Sequence, residues 1–411
     1  MIGIDPTVTD QTYTSPAGDV HAKYFQGVGL GGSFMSYLWD GAFATHVKND
    51  CTDVYKHIVQ HFEPGHEVWM FGISRGAYIV RSVAGMINNC GIVRDRTNHD
   101  LIDQIHGLYR SPYPVNKPGS TEMQHFRTRV SHHVRTPIKF MGLFDTVGSL
   151  GIPKLNYDTG VGFEWPEFHD NLVSSTVEKV YHALATHDRM WAFQPCLASR
   201  DPKHKGSPDL RIYQKWFPGC HYDLARQEFQ FLREGHAGLE GKVASILNFF
   251  SKTIHPNEQL SDLVLLWMLQ GIRAEGGGSM IRYDMNTATT DIAHNINDLR
   301  NSCAAARTGT GDVYDDIFEF LPLSKLFRLP RWPLRWYNST LYKALLDTRD
   351  RTIPDIGNPI SPLVQNQVYD YTVADPDIAN SIIGDTAEVK PPRYPSKTFQ
   401  NYLAYMRATG R

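Results

Sequence analysis

A serine stands between two glycines at the point where an apolar run meets a helical pattern. The pentapeptide Gly-Ile-Ser-Arg-Gly at residues 72–76 follows the apolar residues 68–71, and apolar residues recur at helical spacing from Ala77. This pattern is typical of a nucleophile elbow, in which a strand-to-helix turn holds the Ser74 hydroxyl out above a sheet. We expect strained backbone angles at Ser74. We also expect that a side chain at Gly72 or Gly76 would collide with the neighbouring strand or helix.

Two further polar residues follow apolar strands and could activate this serine. Asp145 ends the apolar run 138–144, and His221 follows the strand 210–217 and a Pro-Gly turn. Active sites of open α/β sheets lie at the carboxyl ends of the strands, so these side chains are expected to converge on Ser74. The order Ser, Asp, His along the chain is that of α/β-hydrolases. Asp188 and Asp223 stay open as alternative acids, and His221 is one of 18 histidines.

The three side chains have complementary chemistry. A serine hydroxyl is a poor nucleophile until an imidazole removes its proton, and a carboxylate fixes the tautomer of that imidazole. The oxyanion that forms on the attacked carbonyl needs a preorganised donor, and the backbone N–H of Arg75 is placed to be one. The pattern therefore predicts hydrolysis of a carboxylic ester through an acyl-enzyme, with Ser74 attacking, His221 as base and then acid, and Asp145 orienting the imidazole.

The surrounding elements alternate between strands and helices, as in a mostly parallel sheet with helices on both faces. We predict strands over 21–26, 68–71, 138–144 and 210–217, and helices over 53–62, 77–87, 174–188, 260–272 and 291–305. Residues 92–136 look like a polar connection and 151–175 like a long loop. The expected fold class is α/β with an α/β-hydrolase fold. We expect a catalytic domain over 1–275 and a helical and irregular C-terminal extension, or cap, over 276–411.

Composition narrows the classes of protein. The 411 residues carry a formal net charge of −2, so no overall field favours nucleic acid or an anionic membrane. The five cysteines are scattered and odd in number, which suits reduced thiols in an intracellular compartment. The sequence shows no signal peptide and no membrane-spanning stretch, so we expect a cytoplasmic, soluble protein. No cofactor is expected, and the oligomeric state stays open.

Several sequence blocks resemble the serine-hydrolase family of bacterial type VI secretion phospholipase effectors and their fungal relatives. The likeness covers about residues 20–275 in order, and its blocks are residues 71–78, 81–85, 140–149, 217–223, 260–262 and 267–268. In that family the elbow serine, the aspartate of Phe-Asp-Thr-Val and the histidine of Pro-Gly-x-His form the triad. The resemblance thus implies a triad of Ser74, Asp145 and His221 and a lipid or phospholipid ester as substrate.

Two departures from the family pattern bear on activity. The family opens with an apolar strand ending in Asp-Gly-Thr, the expected source of a second oxyanion donor, but only residues 1–7 stand in its place here. Its loss would weaken catalysis and would leave the neighbouring strand unpaired. Residues 224–227 replace the glycines that follow the family's histidine, which is expected to reshape the rim of the pocket. A catalytically weak or inactive scaffold and an acyltransferase therefore stay open as alternatives to the ester hydrolase.

Weaker patterns complete the set of candidate residues. The glycines at 27–32 satisfy Gly-x-Gly-x-x-Gly, but no helix and no second strand with an acidic end follow, so a glycine turn near the pocket is favoured over nucleotide binding. Gly29, Phe163 and Trp165 are candidate substrate contacts. The basic and aromatic run 321–337 suggests either a packed cap or transient contact with a membrane surface. His125, His132 and His133 lack the spacing of metal ligands, so no metal is expected.

Overall fold

The computed structural model of the chain describes most of the region up to the end of the predicted catalytic domain and parts of the C-terminal extension. It describes residues 11–15, 18–25, 43–135, 137–147, 154–155, 163–164, 172–174, 176–190, 193–200, 210–226, 229–230, 253–281, 292–305, 348–354, 364–368 and 394–410. Everything below concerns these residues.

The centre of the fold is a five-stranded sheet in which every neighbouring pair of strands runs parallel. Its order is β13–β10–β8–β4–β3, so that strands are added side by side in chain order from one edge. The bounds are Val68–Ile73 for β3, Ile138–Phe144 for β4, Val177–Ala185 for β8, Arg211–Phe217 for β10 and Val364–Val368 for β13. The prediction of an α/β fold is confirmed, while the α/β-hydrolase fold stays a prediction.

The strand β8 contradicts the helix that we predicted over 174–188. Nine residues from Val177 to Ala185 are extended and pair with β4 on one side and β10 on the other. The last six residues of β8 are all buried, because the strand lies in the middle of the sheet and helices cover both faces. An apolar run of this kind has no period of two, so its sequence does not distinguish a buried strand from a buried helix.

Helices cover both faces of the sheet. On one face the buried side chains of Met141, Leu143, Val180 and Ile212 share a core with α1 to α4. On the other face Phe140 packs with Tyr181 and with residues of α5 and α6. The helices are α1 (Phe43–His61), α2 (Arg75–Cys90), α3 (His99–Arg110), α4 (Thr121–Val130), α5 (Glu258–Ala274), α6 (Ile292–Ala305) and α7 (Thr398–Thr409).

The helices α3 and α4 lie in the stretch that we expected to be a plain connection. Each begins at a polar residue whose side chain accepts a hydrogen bond from the first helical turn, Asn98 from the backbone N–H of Leu101 and Ser120 from that of Met123. Such caps are a local start signal that the sequence does carry. In α3 the apolar residues Leu101, Ile102, Ile105 and Leu108 also recur at helical spacing, whereas apolar periodicity is weak in α4.

Four two-stranded sheets, one parallel and three antiparallel, are described besides the central sheet. The described pairs are β1 (Thr12–Thr14) with β2 (His21–Lys23), β5 (Lys154–Leu155) with β6 (Phe163–Glu164), β7 (Leu172–Val173) with β9 (Ser199–Arg200), and β11 (Phe229–Gln230) with β12 (Thr253–Ile254). The predicted strand at 21–26 therefore ends at Lys23, and the expected long loop 151–175 contains three two-residue strands.

The C-terminal extension contributes to the sheet itself. Its strand β13 pairs in parallel with β10, from Ile212 opposite Val364 to Trp216 opposite Val368. The division of the chain near residue 275 stays a prediction, but the extension is structurally continuous with the sheet. At the opposite edge, no strand in the described part of the chain pairs with the outer side of β3. Among the described helices, none is both long and apolar enough to cross a membrane.

The register of the sheet brings four strand ends to one edge. Ile73 lies opposite Phe144, Phe144 lies opposite Ala183, and Ala185 lies opposite Phe217. The residues that leave these strands therefore emerge side by side, because all four strands run in the same direction. This edge carries Ser74, Asp145 and the turn that leads to His221.

Candidate active site

Ser74 occupies a strained turn between β3 and α2. Its backbone angles, φ 55° and ψ −119°, lie outside the regions that residues with a Cβ normally adopt. The backbone N–H of Ser74 donates to the carbonyl of Phe144 at 2.8 Å, which fixes the turn beside the end of β4. The expected strain at Ser74 is therefore present, and the half-buried residue leaves β3 beside the end of β4, where Asp145 follows.

The two glycines of the elbow differ in their need to be glycine. A Cβ at Gly72 would lie 2.5 Å from the carbonyl carbon and oxygen of Gly76 and 2.6 Å from the nitrogen of Ala77, so the strand and the first helical turn touch there. A Cβ at Gly76 would meet no described atom within 4 Å beyond its own helix. The expectation of a collision is right for Gly72 and wrong for Gly76, because a Cβ on residue 76 would point into open space.

Asp145 is fully buried at the end of β4. It adopts a positive φ of 42°, and its N–H donates to the carbonyl of Ala183 at 2.7 Å. One carboxylate oxygen, Oδ1, accepts a hydrogen bond from the N–H of Ala185 at 3.1 Å. The other, Oδ2, lies 2.6 Å from Nδ1 of His221. The carboxylate is thus aimed from the end of β4 across the end of β8.

His221 begins a short 3₁₀ helix (His221–Ala225) just after β10. Its side chain is almost fully buried, and its imidazole stacks on the ring of Phe193 with centroids 4.6 Å apart and planes 18° apart. The backbone N–H of His221 donates to Oδ2 of Asp188 at 3.0 Å. Because Nδ1 faces Asp145, the imidazole is oriented by a carboxylate on one side and by an aromatic ring over its face.

The two alternative acids, Asp188 and Asp223, accept most of their recorded hydrogen bonds from backbone N–H groups. Asp188 accepts the N–H groups of Met190 and His221. Asp223 accepts the N–H of Cys220 at 2.7 Å and that of Asn257 at 2.8 Å, and it also accepts the hydroxyl of Tyr394 at 3.1 Å. Both carboxylates shape the turn that carries His221, and of the three only Asp145 contacts the imidazole in the described residues.

Buried polar residues hold the turn after β4 and the turn before His221 in place. Gly219 has a φ of 108°, and a Cβ there would lie 2.9 Å from Asp223, so the turn before His221 requires glycine. His187 accepts the N–H of Gly219 at 3.0 Å. His182 accepts the N–H of Thr146 at 3.2 Å through Nε2. Burial lowers the pKa of His182 and that of His187 to about 3, so both imidazoles are neutral acceptors at neutral pH.

Arg351, from the C-terminal extension, is the one charged partner of Asp145 that sequence reasoning missed. Its two terminal nitrogens bind the two carboxylate oxygens, Nη1 to Oδ1 at 2.7 Å and Nη2 to Oδ2 at 2.8 Å. Nη1 also donates to the carbonyl of Ala185 at 2.6 Å, and Nη2 donates to that of Phe193. No local pattern marks residue 351, since its role arises from a contact 206 residues away along the chain.

Charge at the site favours an ionised carboxylate. Burial by itself raises the pKa of Asp145, but the guanidinium of Arg351 and the hydrogen bond from His221 outweigh it and hold the pKa below its usual range. Asp223 behaves in the opposite way, because burial raises its pKa to about 6 despite three hydrogen bonds. The acid next to the imidazole is therefore charged across the neutral range.

The structure does not place the other candidate contacts of the substrate. Gly29 and Trp165 lie outside them, as does the run 321–337, and the side chain of Phe163 is also not described. Within the described ranges, no three His, Cys, Asp or Glu side chains form a group suited to a metal ion. A cavity of about 340 Å³ lies near the amino ends of β4 and β8, away from Ser74 and Asp145, and is lined in part by Pro137 and Thr176.

Comparisons with known proteins agree with the resemblance inferred from the sequence. A family model described as the type VI secretion system (T6SS) phospholipase effector Tle1-like catalytic domain matches residues 7–271. The uncharacterized protein YEL023C of Saccharomyces cerevisiae is 29% identical over 167 residues, which are 39% of this chain and 23% of the yeast protein.

A solved structure of the Tle1 effector bound to the VgrG spike of the type 6 secretion system is similar over part of its length. The match covers 45% of this chain and 33% of that one, with 20% identity and a TM-score of 0.24. The chain thus matches less than two thirds of the length of either protein.

Proposed function

This chain belongs to the family of Tle1-like phospholipase effector catalytic domains, and from that membership we propose that it is a serine-dependent hydrolase of carboxylic esters, with Ser74, His221 and Asp145 as its triad. The family description indicates a hydrolase of the phospholipase type. The observation that carries the finer proposal is the 2.6 Å contact between Nδ1 of His221 and Oδ2 of Asp145, beside the strained turn at Ser74.

The proposed reaction begins with attack on the ester carbonyl. Nδ1 of His221 is engaged by Asp145, so Nε2 is the nitrogen that takes the proton from Oγ of Ser74 as the new C–O bond forms. The carbonyl oxygen becomes an oxyanion. Arg75 is the first residue of α2, and the positive end of the helix dipole at a first helical turn favours an anion, so its backbone N–H is the proposed oxyanion donor.

Collapse of the tetrahedral adduct then breaks the bond to the alcohol, which leaves with the proton from Nε2 of His221. A water molecule attacks the acyl-serine in the same way, giving its proton to His221, and the carboxylic acid departs as Oγ of Ser74 regains a proton. Asp145 stays ionised throughout, and its charge stabilises the imidazolium in each half of the reaction. The low pKa of Asp145 supports this role, because a protonated carboxyl group would not stabilise imidazolium.

The proposed substrate is a phospholipid or another lipid ester, as the family description suggests. Acyl length and headgroup would be set by side chains around the strand ends, and the candidate contacts Gly29, Phe163 and Trp165 stay predictions.

An activity-based probe tests the mechanism directly. A fluorophosphonate is expected to label the wild-type chain covalently, and Ser74→Ala is expected to abolish the label. Ser82→Ala is the matched control, because Ser82 lies in the same helix, is buried and is not proposed to react. Label that persists in Ser74→Ala, or a folded wild type that takes no label, would refute the mechanism. The second outcome would favour the non-catalytic scaffold.

Turnover separates the remaining alternatives. Vesicles of phosphatidylcholine with a fraction of anionic phospholipid are incubated with wild type and with Ser74→Ala, and released fatty acid is measured by mass spectrometry. We expect release that depends on Ser74. An acyltransferase would instead form a new ester faster than free acid when a simple alcohol is added.

A further inference from the structure

The carboxylate of Asp145 is held by four donors. Arg351 supplies two of them, one to each oxygen, in the paired geometry that a guanidinium and a carboxylate prefer. The N–H of Ala185 and the imidazole of His221 supply the others. With both oxygens occupied from two sides, the carboxylate plane cannot rotate without breaking the contacts with Arg351.

Arg351 also reaches the imidazole by a second route. Its Nη2 donates to the carbonyl of Phe193, whose ring stacks on His221. One buried guanidinium therefore holds the acid that orients the imidazole and the residue that covers the face of the imidazole. The side chain of Arg351 is fully buried, so water does not replace these contacts.

The segment around Arg351 is docked by contacts of its own. The N–H of Arg349 donates to the carbonyl of Arg189 at 2.7 Å, and the side chain of Arg189 lies 3.0 Å from Oδ1 of Asp350. The amide of Gln194 donates to the carbonyl of Arg349 at 3.0 Å. These contacts hold residues 349–350 against Arg189 and Gln194, on either side of Phe193 in the chain. They fix the backbone just before Arg351 beside the site.

We propose that Arg351 is a positioning residue of the triad, and that the C-terminal extension completes the active site by clamping Asp145 and Phe193 around His221. The proposal rests on the proposed function, since it concerns the same triad. Residue 351 lies outside the segment 7–271 that the family model matches. Arg351 thus reaches the proposed triad from outside the matched segment.

Removing Arg351 has two separable effects on the reaction. The first is geometric, because a carboxylate and an aromatic ring lose the donor that fixes them. The second is electrostatic, because Asp145 loses the cation that balances it and the bare carboxylate then favours imidazolium over neutral imidazole. His221 must be neutral to accept the proton from Ser74, so the charge effect slows the reaction at low pH more than at high pH.

Among the described residues, other titratable groups near this cluster are His182, Asp188 and Tyr222, whose ring centroid lies 5.3 Å from that of His221. His182, from β8, is affected by the charges of Arg81, Asp145 and Arg351, and its pKa of about 3 keeps it neutral above pH 5. Asp188 faces the main chain of His221. A change in the acid limb of the pH profile therefore reports the balance between Asp145, His221 and Arg351.

The test measures the fluorophosphonate labelling rate of the full-length chain from pH 5 to pH 9. Arg351→Met removes the charge and the hydrogen-bond donors, and Arg351→Gln removes the charge but keeps a donor. Arg351→Lys keeps the charge but cannot donate to both carboxylate oxygens of Asp145 as a guanidinium does. Arg349→Met is the matched control. It removes the same charge at a position two residues from Arg351, where the side chain is exposed. Circular dichroism checks that each variant is as fully folded as wild type at each pH, so that differences in rate are not differences in the folded fraction.

We expect Arg351→Met and Arg351→Gln to label about 10- to 100-fold more slowly at pH 7, as is typical when a catalytic group is misplaced. The acid limb of their pH profile, where the labelling rate falls as pH decreases, should move to higher pH by about one unit, which corresponds to the loss of one nearby charge. Arg351→Lys should label several-fold more slowly with its acid limb unmoved. Arg349→Met should match wild type.

Wild-type rates and an unmoved limb in Arg351→Met or Arg351→Gln would overturn the positioning role. Equal slowing of all three Arg351 variants at every pH would also overturn it, because that result describes a purely structural residue. If the two charge-removing variants do not fold, Arg351→Lys decides, and a wild-type rate in that variant refutes the clamp. A wild type without label at Ser74 instead removes the proposed function, and the positioning role falls with it.

Discussion

The elbow makes a sharp prediction at its first glycine. Gly72→Ala places a Cβ 2.5 Å from the carbonyl carbon and oxygen of Gly76 and 2.6 Å from the nitrogen of Ala77. These neighbours are backbone atoms, so no side chain can rotate out of the way. The strand β3 and the first turn of α2 must separate by about 1 Å to restore contact at the usual carbon–carbon distance of about 3.5–4 Å.

The same elbow supplies its own control. Overpacking of this kind costs about 1–3 kcal/mol and occasionally more, and the rigid backbone on both sides puts Gly72→Ala at the upper end, about 3 kcal/mol. Gly76→Ala adds a methyl group with open space around it in the first turn of α2. Alanine is the better helix former by about 1 kcal/mol, so Gly76→Ala is expected to leave stability unchanged or to raise it.

Urea unfolding, followed by circular dichroism, measures both variants. We expect the free energy of unfolding to separate them by about 3–4 kcal/mol, with wild type in between, by summing the overpacking cost and the helix gain. A loss below about 1 kcal/mol in Gly72→Ala would show that the strand and helix yield at that point. Equal destabilisation by the two substitutions would refute the difference in contact that the elbow geometry gives.

Two further predictions concern titratable groups. Burial raises the pKa of Asp223 to about 6, above its usual value, so the group stabilises the fold at low pH and this contribution is lost as pH rises from about 4 to 6. The stability advantage of wild type over Asp223→Asn, measured by urea unfolding, should shrink by up to about 3 kcal/mol between pH 4 and pH 7, and a growing advantage would contradict the shift. Burial also raises the pKa of the Cys51 and Cys90 thiols to about 12. Neither should be alkylated by iodoacetamide at pH 8 in the native chain, as mapped by peptide mass spectrometry, whereas both should react in urea; rapid native alkylation would contradict their burial.

The strand ends that carry the candidate triad were predictable from local signals. An apolar run that ends at Asp145 or at the Gly-x-Ser-x-Gly pattern combines a buried strand with a polar residue that a strand interior would not tolerate. The order of Ser74, Asp145 and His221 then follows from parallel strands laid down one after another. Local signals placed the strand ends, whereas the choice of Asp145 over Asp188 and Asp223, and of His221 among 18 histidines, came from the resemblance to the family.

What failed depends on contacts far apart in the sequence. The strand β8 was taken for a helix because a segment buried on both faces has no alternation, and only its pairing with β4 and β10 makes it extended. Arg351 gave no signal for a similar reason. A buried arginine and an exposed one have the same sequence neighbourhood, and the partner that buries this one is 206 residues away.

The clamp on Asp145 also sets an order of events during synthesis. Chains leave the ribosome from the N-terminus, and domains generally fold as their residues emerge. When residue 275 has been made, the strands that carry Ser74, Asp145 and His221 all exist, but the cation that balances Asp145 and the strand β13 that covers the edge of β10 do not. A nascent chain at that length holds the Asp145 carboxylate without its guanidinium, so the proposed triad is complete only when the final sixth of the chain emerges.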